Sequence, residues 1–203
     1  MIFEAVYISE GKISGNAPSY PFTFSKDRVG SPVEGACVRF GWNENGLLVE
    51  GEFEDSVLIS TCCADEQLHY QTGDVLELFV KPTNDPYYWE MYATPFGNKS
   101  TLFFPRERKG MTVEQYLRDH DFRGLEVSAE IMVNGWKASL FVPATQLTAL
   151  GANWGPGSDW SVFCGRYNYN SETLTDPELS MVPALSTTNY HLTNEYARLH
   201  FNL

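Results

Sequence analysis

Two Asn-Gly pairs, each set between runs of β-branched and aromatic residues, constrain this 203-residue chain more than anything else in it. Asn-Gly suits the tight hairpin turn whose twist matches that of its flanking strands, so Asn45-Gly46 predicts a hairpin between strands at 36–42 and 47–53. Asn134-Gly135 predicts a second, between strands at 125–133 and 136–142. Similar strand signals fall at 74–80, 87–94, 99–104, 160–168 and 197–201. That rhythm predicts an all-β fold, an antiparallel β-sandwich or barrel with one or two short helices.

The length suffices for one sizeable core, and no linker or repeat divides it, so residues 1–203 are expected to form a single domain. An apolar content of 43% with 14% aromatic residues argues against disorder. No run approaches the ~18 apolar residues of a membrane helix, so a soluble protein with no membrane partner is expected. The net charge of -12 repels phosphate backbones, which argues against nucleic acid. The first residues carry no basic segment or long apolar stretch, which predicts a cytoplasmic chain unless a leader has been removed.

Thr112 with Gln115 forms a capping-box pattern and predicts a helix over 112–119; a second short turn is expected over 143–150. Gly155-Pro156-Gly157 marks a surface loop, and 171–193, with Pro177 and Pro183, reads as a long irregular segment of the kind that often carries function. The four cysteines, Cys37, Cys62, Cys63 and Cys164, contain no C-x-x-C pair and are expected to be buried free thiols.

Chemistry concentrates in Gly73-Asp74-Val75-Leu76-Glu77-Leu78-Phe79, where a carboxylate interrupts an apolar strand. The next strand holds Tyr88, Glu90 and Tyr92 on one face by alternation, with Tyr87, Trp89 and Met91 on the other. Glu77 and Glu90 are therefore expected to be neighbours on one sheet face. A third strand is expected to add Arg166 and Asn168, as a counter-charge and an amide, though a structural salt bridge is an equal reading of Arg166. Carboxylates beside aromatic rings suit sugars, whose hydroxyls they bind while the rings cover the apolar face.

The order of these motifs, continued by Pro95-Phe96-Gly97, Arg166-Tyr167-Asn168-Tyr169, Pro177-Glu178-Leu179-Ser180, Pro183-Ala184-Leu185 and Asn189-Tyr190-His191, resembles the family 9 carbohydrate-binding modules from about Gly35 to Leu203. The resemblance implies a β-sandwich that binds a glycan such as xylan or its oligosaccharides, with structural calcium in many members. It assigns sugar contact to Glu77. Where the family stacks two tryptophans on the sugar, this chain offers Tyr70 and Tyr190.

Asp55 and Asp65, with neighbouring loop carbonyls, are the oxygen donors on offer to calcium, although two solvated loop acids are the more ordinary reading of the pair. His69, His120, His191 and His200 lack the spacing of a zinc site. The expected ligand set is thus Tyr70, Glu77, Glu90, Arg166, Asn168 and Tyr190, in a non-catalytic module. Two rivals stand beside it: a glycoside hydrolase using Glu77 and Glu90, and a protein-interaction sandwich presenting exposed aromatics.

Overall fold

A computed structural model describes residues 1–9, 11–106, 110–122 and 124–202. Twelve strands follow in order: β1 (Ile2–Tyr7), β2 (Tyr20–Pro21), β3 (Ala36–Asn43), β4 (Gly46–Glu54), β5 (Val75–Pro82), β6 (Tyr88–Ala93), β7 (Lys99–Phe104), β8 (Glu126–Met132), β9 (Gly135–Pro143), β10 (Trp160–Asn168), β11 (Glu178–Val182) and β12 (Ala197–Asn202). Helix α1 (Val113–Arg118) lies between β7 and β8, and α2 (Ala144–Leu147) follows β9. The fold is all-β, and both Asn-Gly pairs turn the hairpins expected of them, β3–β4 and β8–β9.

The strands hydrogen-bond in one continuous sheet, β7-β6-β5-β10-β12-β1-β3-β4-β9-β8, with β11 added to β10 and β2 to β3. Strand β10 is the pivot. Along one edge it pairs with β5 throughout; along the other, Trp160 to Val162 pair with β12 while Cys164 to Asn168 pair with β11. The expectation of a purely antiparallel fold needs correcting, because β1 runs parallel to both β12 and β3. Ends of the chain far apart in sequence meet there, and no tight turn dictates their direction.

The sheet curls back on itself around its main core. Leu76, Leu78, Val80, Trp89, Met91, Trp160 and Val162 from one half join Val38, Phe40, Leu47, Val49, Phe53, Trp136 and Leu140 from the other in a single apolar cluster. Each such side chain contributes about 1.5–3 kcal/mol on burial. On the opposite face of β5, β6 and β10, a second cluster of Phe79, Tyr88, Tyr92, Phe104, Phe163 and Tyr190 is covered by Tyr116 and Leu117 of α1 and by Leu185 and Tyr196.

Helix α1 starts on the predicted capping box: Gln115 N donates to Thr112 Oγ1 (3.3 Å) and Thr112 N donates to Gln115 Oε1 (2.8 Å). Within 171–193, read as irregular, β11 forms between Pro177 and Pro183. All four cysteines are free, but the expectation that all are buried is corrected: only Cys164 is buried, Cys37 and Cys62 are partly exposed and Cys63 is exposed on a loop. No helix among the described residues is long and apolar enough to cross a membrane.

Candidate functional site

Strand register sets the floor of the site. Glu77 on β5 stands opposite Tyr92 on β6 and opposite Gly165 on β10, while Glu90 stands opposite Phe79. Directly opposed residues share a face, so Glu77 and Glu90 are diagonal neighbours on the outer face of the sheet, as alternation predicts. They line a cavity of about 330 Å³ with Tyr70, Tyr92, Leu102, Phe104, Val113, Tyr167, Leu179, Thr188, Asn189, Tyr190 and His191. That volume lies at the small end of the usual range for ligand pockets.

Both acids are almost wholly buried, Glu77 at 3% and Glu90 at 4% exposure. Burial, and then the Glu90 charge beside it, raise the Glu77 carboxyl well above the ordinary glutamate range. No protein donor among the described residues hydrogen-bonds the Glu77 carboxyl, although it lines the cavity. Glu90 accepts the Tyr92 hydroxyl at Oε1, and His191 Nε2 lies 4.0 Å from its Oε2. The other His191 nitrogen, Nδ1, is 2.9 Å from the Tyr88 hydroxyl.

The walls are tyrosine. Tyr70 and Tyr167 are half-buried, with ring centroids 5.5 Å apart, and Tyr92 meets Tyr70 edge-on at 6.3 Å. Tyr190 lies flat against β10, where a side chain at Gly165 would put its Cβ 2.3 Å from the ring. Its hydroxyl donates to the carbonyls of Arg166 (3.0 Å) and Ser180 (2.9 Å), which fixes the ring as a rigid wall. Burial raises the Tyr92, Tyr167 and Tyr190 phenols, so all three stay neutral.

The structure therefore brings Tyr70, Glu77, Glu90 and Tyr190 together, and places Arg166 and Asn168 elsewhere. The expectation that these two share the acidic face is corrected by the register of β10: Arg166 pairs with Leu76, on the face of the main core. Its guanidinium lies over the Phe53 ring and is wholly buried. There Nη2 donates to Asp55 Oδ2 (3.2 Å), the Glu54 carbonyl (2.6 Å) and Asn168 Oδ1 (2.9 Å), while Asn168 Nδ2 donates to Glu34 Oε2 (2.7 Å). These residues hold β4 to β10 from inside. Burial lowers the Arg166 pKa and outweighs Arg166 in raising that of Asp55.

That ion pair also removes Asp55 as a calcium ligand, and Asp65 Oδ1 accepts the backbone N–H of Lys99 (3.1 Å). Among the described residues, no group of three or more His, Cys, Asp or Glu side chains is arranged to hold a metal ion. Among the described residues, neither Asp55 nor Asp65 stands in such a group.

Sequence reasoning missed Tyr92, Tyr167, Asn189 and His191 as lining residues. The signal for Tyr92 was present, since alternation sets it beside Glu90. Tyr167 depended on which parity of β10 faces out, and Gly165 was the clue: a glycine opposite a buried acid leaves room for a ring.

No protein-family model and no curated protein sequence matches this chain. Solved structures do match in three dimensions. A protein from Bacteroides uniformis ATCC 8492, proposed to bind carbohydrate, superposes with a TM-score of 0.73 at 9% identity, over 98% of each chain. A family 9 carbohydrate-binding module from Caldicellulosiruptor kristjanssonii, in complex with cellotriose, gives 0.70 at 13% identity, over 100% of this chain and 94% of that one. A complex of such a module from the same organism with glucose gives 0.67 at 13% identity, over 99% and 95%. The chain has the fold of the family 9 carbohydrate-binding modules.

Proposed function

We propose that this chain is a non-catalytic carbohydrate-binding β-sandwich whose saccharide sits in the cavity above Glu77 and Glu90. The observation that carries the reading is the Glu77 carboxyl: nearly buried, without a protein donor, and facing a tyrosine-walled cavity. Because the carboxyl faces the cavity, a sugar hydroxyl placed there can hydrogen-bond to it. Tyr70 and Tyr167, the half-buried rings, offer the stacking surface, and Asn189 and His191 stand at the rim as further polar contacts. The solved modules of the same fold are complexed with cellotriose and glucose, which makes gluco-configured oligosaccharides the first candidates and leaves xylan among the alternatives.

The hydrolase reading has one point in its favour, the pair of buried carboxyls with the Glu77 pKa raised. Against it, both acids rise side by side from the same floor, whereas hydrolysis needs them to flank the scissile bond.

Calorimetric titration with cello-oligosaccharides, xylo-oligosaccharides and glucose, with and without calcium, tests the proposal. Saturable binding without turnover of an aryl glycoside is expected, weakened roughly tenfold or more in Glu77→Gln, which exchanges the carboxyl that meets the sugar hydroxyls for an amide. Silence across the panel would sink it. Turnover that disappears in Glu77→Gln would move the assignment to the hydrolase.

A further inference from the structure

Behind the cavity lies a buried acid that the ligand never meets. Asp74 has no exposed surface, and its carboxylate receives two backbone amides from distant segments: Ile59 N at Oδ2 (2.5 Å) and Tyr169 N at Oδ1 (2.7 Å). Its own amide donates to the Ile59 carbonyl (2.8 Å). The preceding residue makes this approach feasible, because a Cβ at Gly73 would stand 2.1 Å from the Ile59 carbonyl oxygen, and Ser60 bridges to Gly73 there. Gly73-Asp74 thus closes the base of the loop that leaves β4 and returns to β5 with Tyr70 on it.

The second segment closes the circuit. Tyr169, whose amide Asp74 holds, donates its hydroxyl to the carbonyl of Tyr70 (2.6 Å). Tyr70 occupies a single 3-10 turn, His69–Gln71, steadied by Thr72 N and Thr72 Oγ1 on the His69 carbonyl (2.8 and 3.2 Å). Tyr167, two residues before Tyr169 on β10, is the ring that faces Tyr70. One carboxylate therefore ties together the two chain segments whose aromatic rings form the half-buried wall.

Resting on the saccharide reading, we propose that Asp74 is the positioning residue of the binding wall: through Ile59 and Tyr169 it fixes the Tyr70–Tyr167 pair on which the sugar stacks. Asp74 touches no ligand. Its effect passes through the Tyr169 hydroxyl, and that bond can be removed without disturbing the buried carboxylate.

The test uses the full chain in four forms: wild type, Asp74→Asn, Tyr169→Phe and, as control, Tyr20→Phe. The control loses a comparable bond in the other half of the sheet, where the Tyr20 hydroxyl accepts Glu4 N. Each form is followed by thermal melting, by hydrogen exchange of the ligand-free protein over residues 59–72, and by titration with the best saccharide of the panel. Tyr169→Phe is expected to lose protection over 66–72 and to bind roughly five- to tenfold more weakly, with a Tm close to that of Tyr20→Phe, which keeps wild-type affinity. Asp74→Asn is expected to lose protection over the whole of 59–72, since an amide can accept one backbone N–H through oxygen but not two through two oxygens. Unchanged protection in Tyr169→Phe, or lost protection with wild-type affinity, overturns the inference. If the wild type binds no saccharide the binding proposal falls, and the exchange data alone decide whether Asp74 orders the wall.

Discussion

If the saccharide proposal holds, Glu77 is a binding residue that works against the fold that carries it. Its carboxyl is buried beside another acid, so the native state favours the protonated form while the unfolded chain releases the proton at the ordinary glutamate value. Stability from this group is therefore fully present below the unfolded value and falls as pH rises through the raised native one. Asp74 acts in the same direction: burial lifts its carboxyl to about 7, against the two backbone amides and Arg166 that pull it down and the Asp55 charge that adds to the rise. Wild-type stability is thus expected to decline from about pH 4 towards and beyond neutrality on account of these two groups. Glu77→Gln, a neutral near-isostere, should match the wild type in chemical denaturation at pH 4, exceed it at pH 8, and bind sugar less well. A variant no more stable than wild type at pH 8 would mean that the Glu77 charge is compensated in the native state.

A single strand, β10, marks where sequence reading succeeds and where it stops. Its limits, 160–168, were legible, as were both hairpins, the capping box of α1 and the alternation that put Tyr88, Glu90 and Tyr92 on one face. The parity of β10 was not, because Cys164-Gly165-Arg166-Tyr167-Asn168-Tyr169 sets Arg166 and Asn168 on one face and Tyr167 and Tyr169 on the other, with no apolar stripe to say which face is inside. A buried arginine defeats the rule that charge points outward, and only the tertiary partner Asp55, more than a hundred residues earlier, explains it. Strands β1 and β11 escaped for related reasons: one pairs only with segments remote in sequence, and the other is a short edge strand bounded by prolines. The corrected placement of Arg166 has an energetic consequence. Arg166→Ala would leave Asp55 buried and unpaired, and a loss of about 3–5 kcal/mol in unfolding free energy is expected. A loss under about 1 kcal/mol would return Arg166 to the role of a surface contact.

At the scale of the whole molecule, one strand hydrogen-bonded to both halves of the sheet predicts that the site and the remote core melt together. β10 pairs with β5 under the cavity and with β12 beside β1, so neither half can lose its ladder without exposing backbone groups of the other. The main core reinforces this, since Trp89 of β6 and Trp160 of β10 stack at 6.4 Å within the same cluster as Trp136 and Phe53, which stack at 4.2 Å on the far half. Trp136 is fully buried in the main core beside Phe53, and Trp136→Ala should cost about 3–5 kcal/mol. If residues 1–203 are one cooperative domain, urea titration followed by near-ultraviolet tyrosine signals and by far-ultraviolet dichroism gives coincident curves, and Trp136→Ala shifts both midpoints equally. A variant in which the tyrosine signal keeps its wild-type midpoint while the dichroism shifts would divide the chain into two folding units, with the cavity wall in the more independent one.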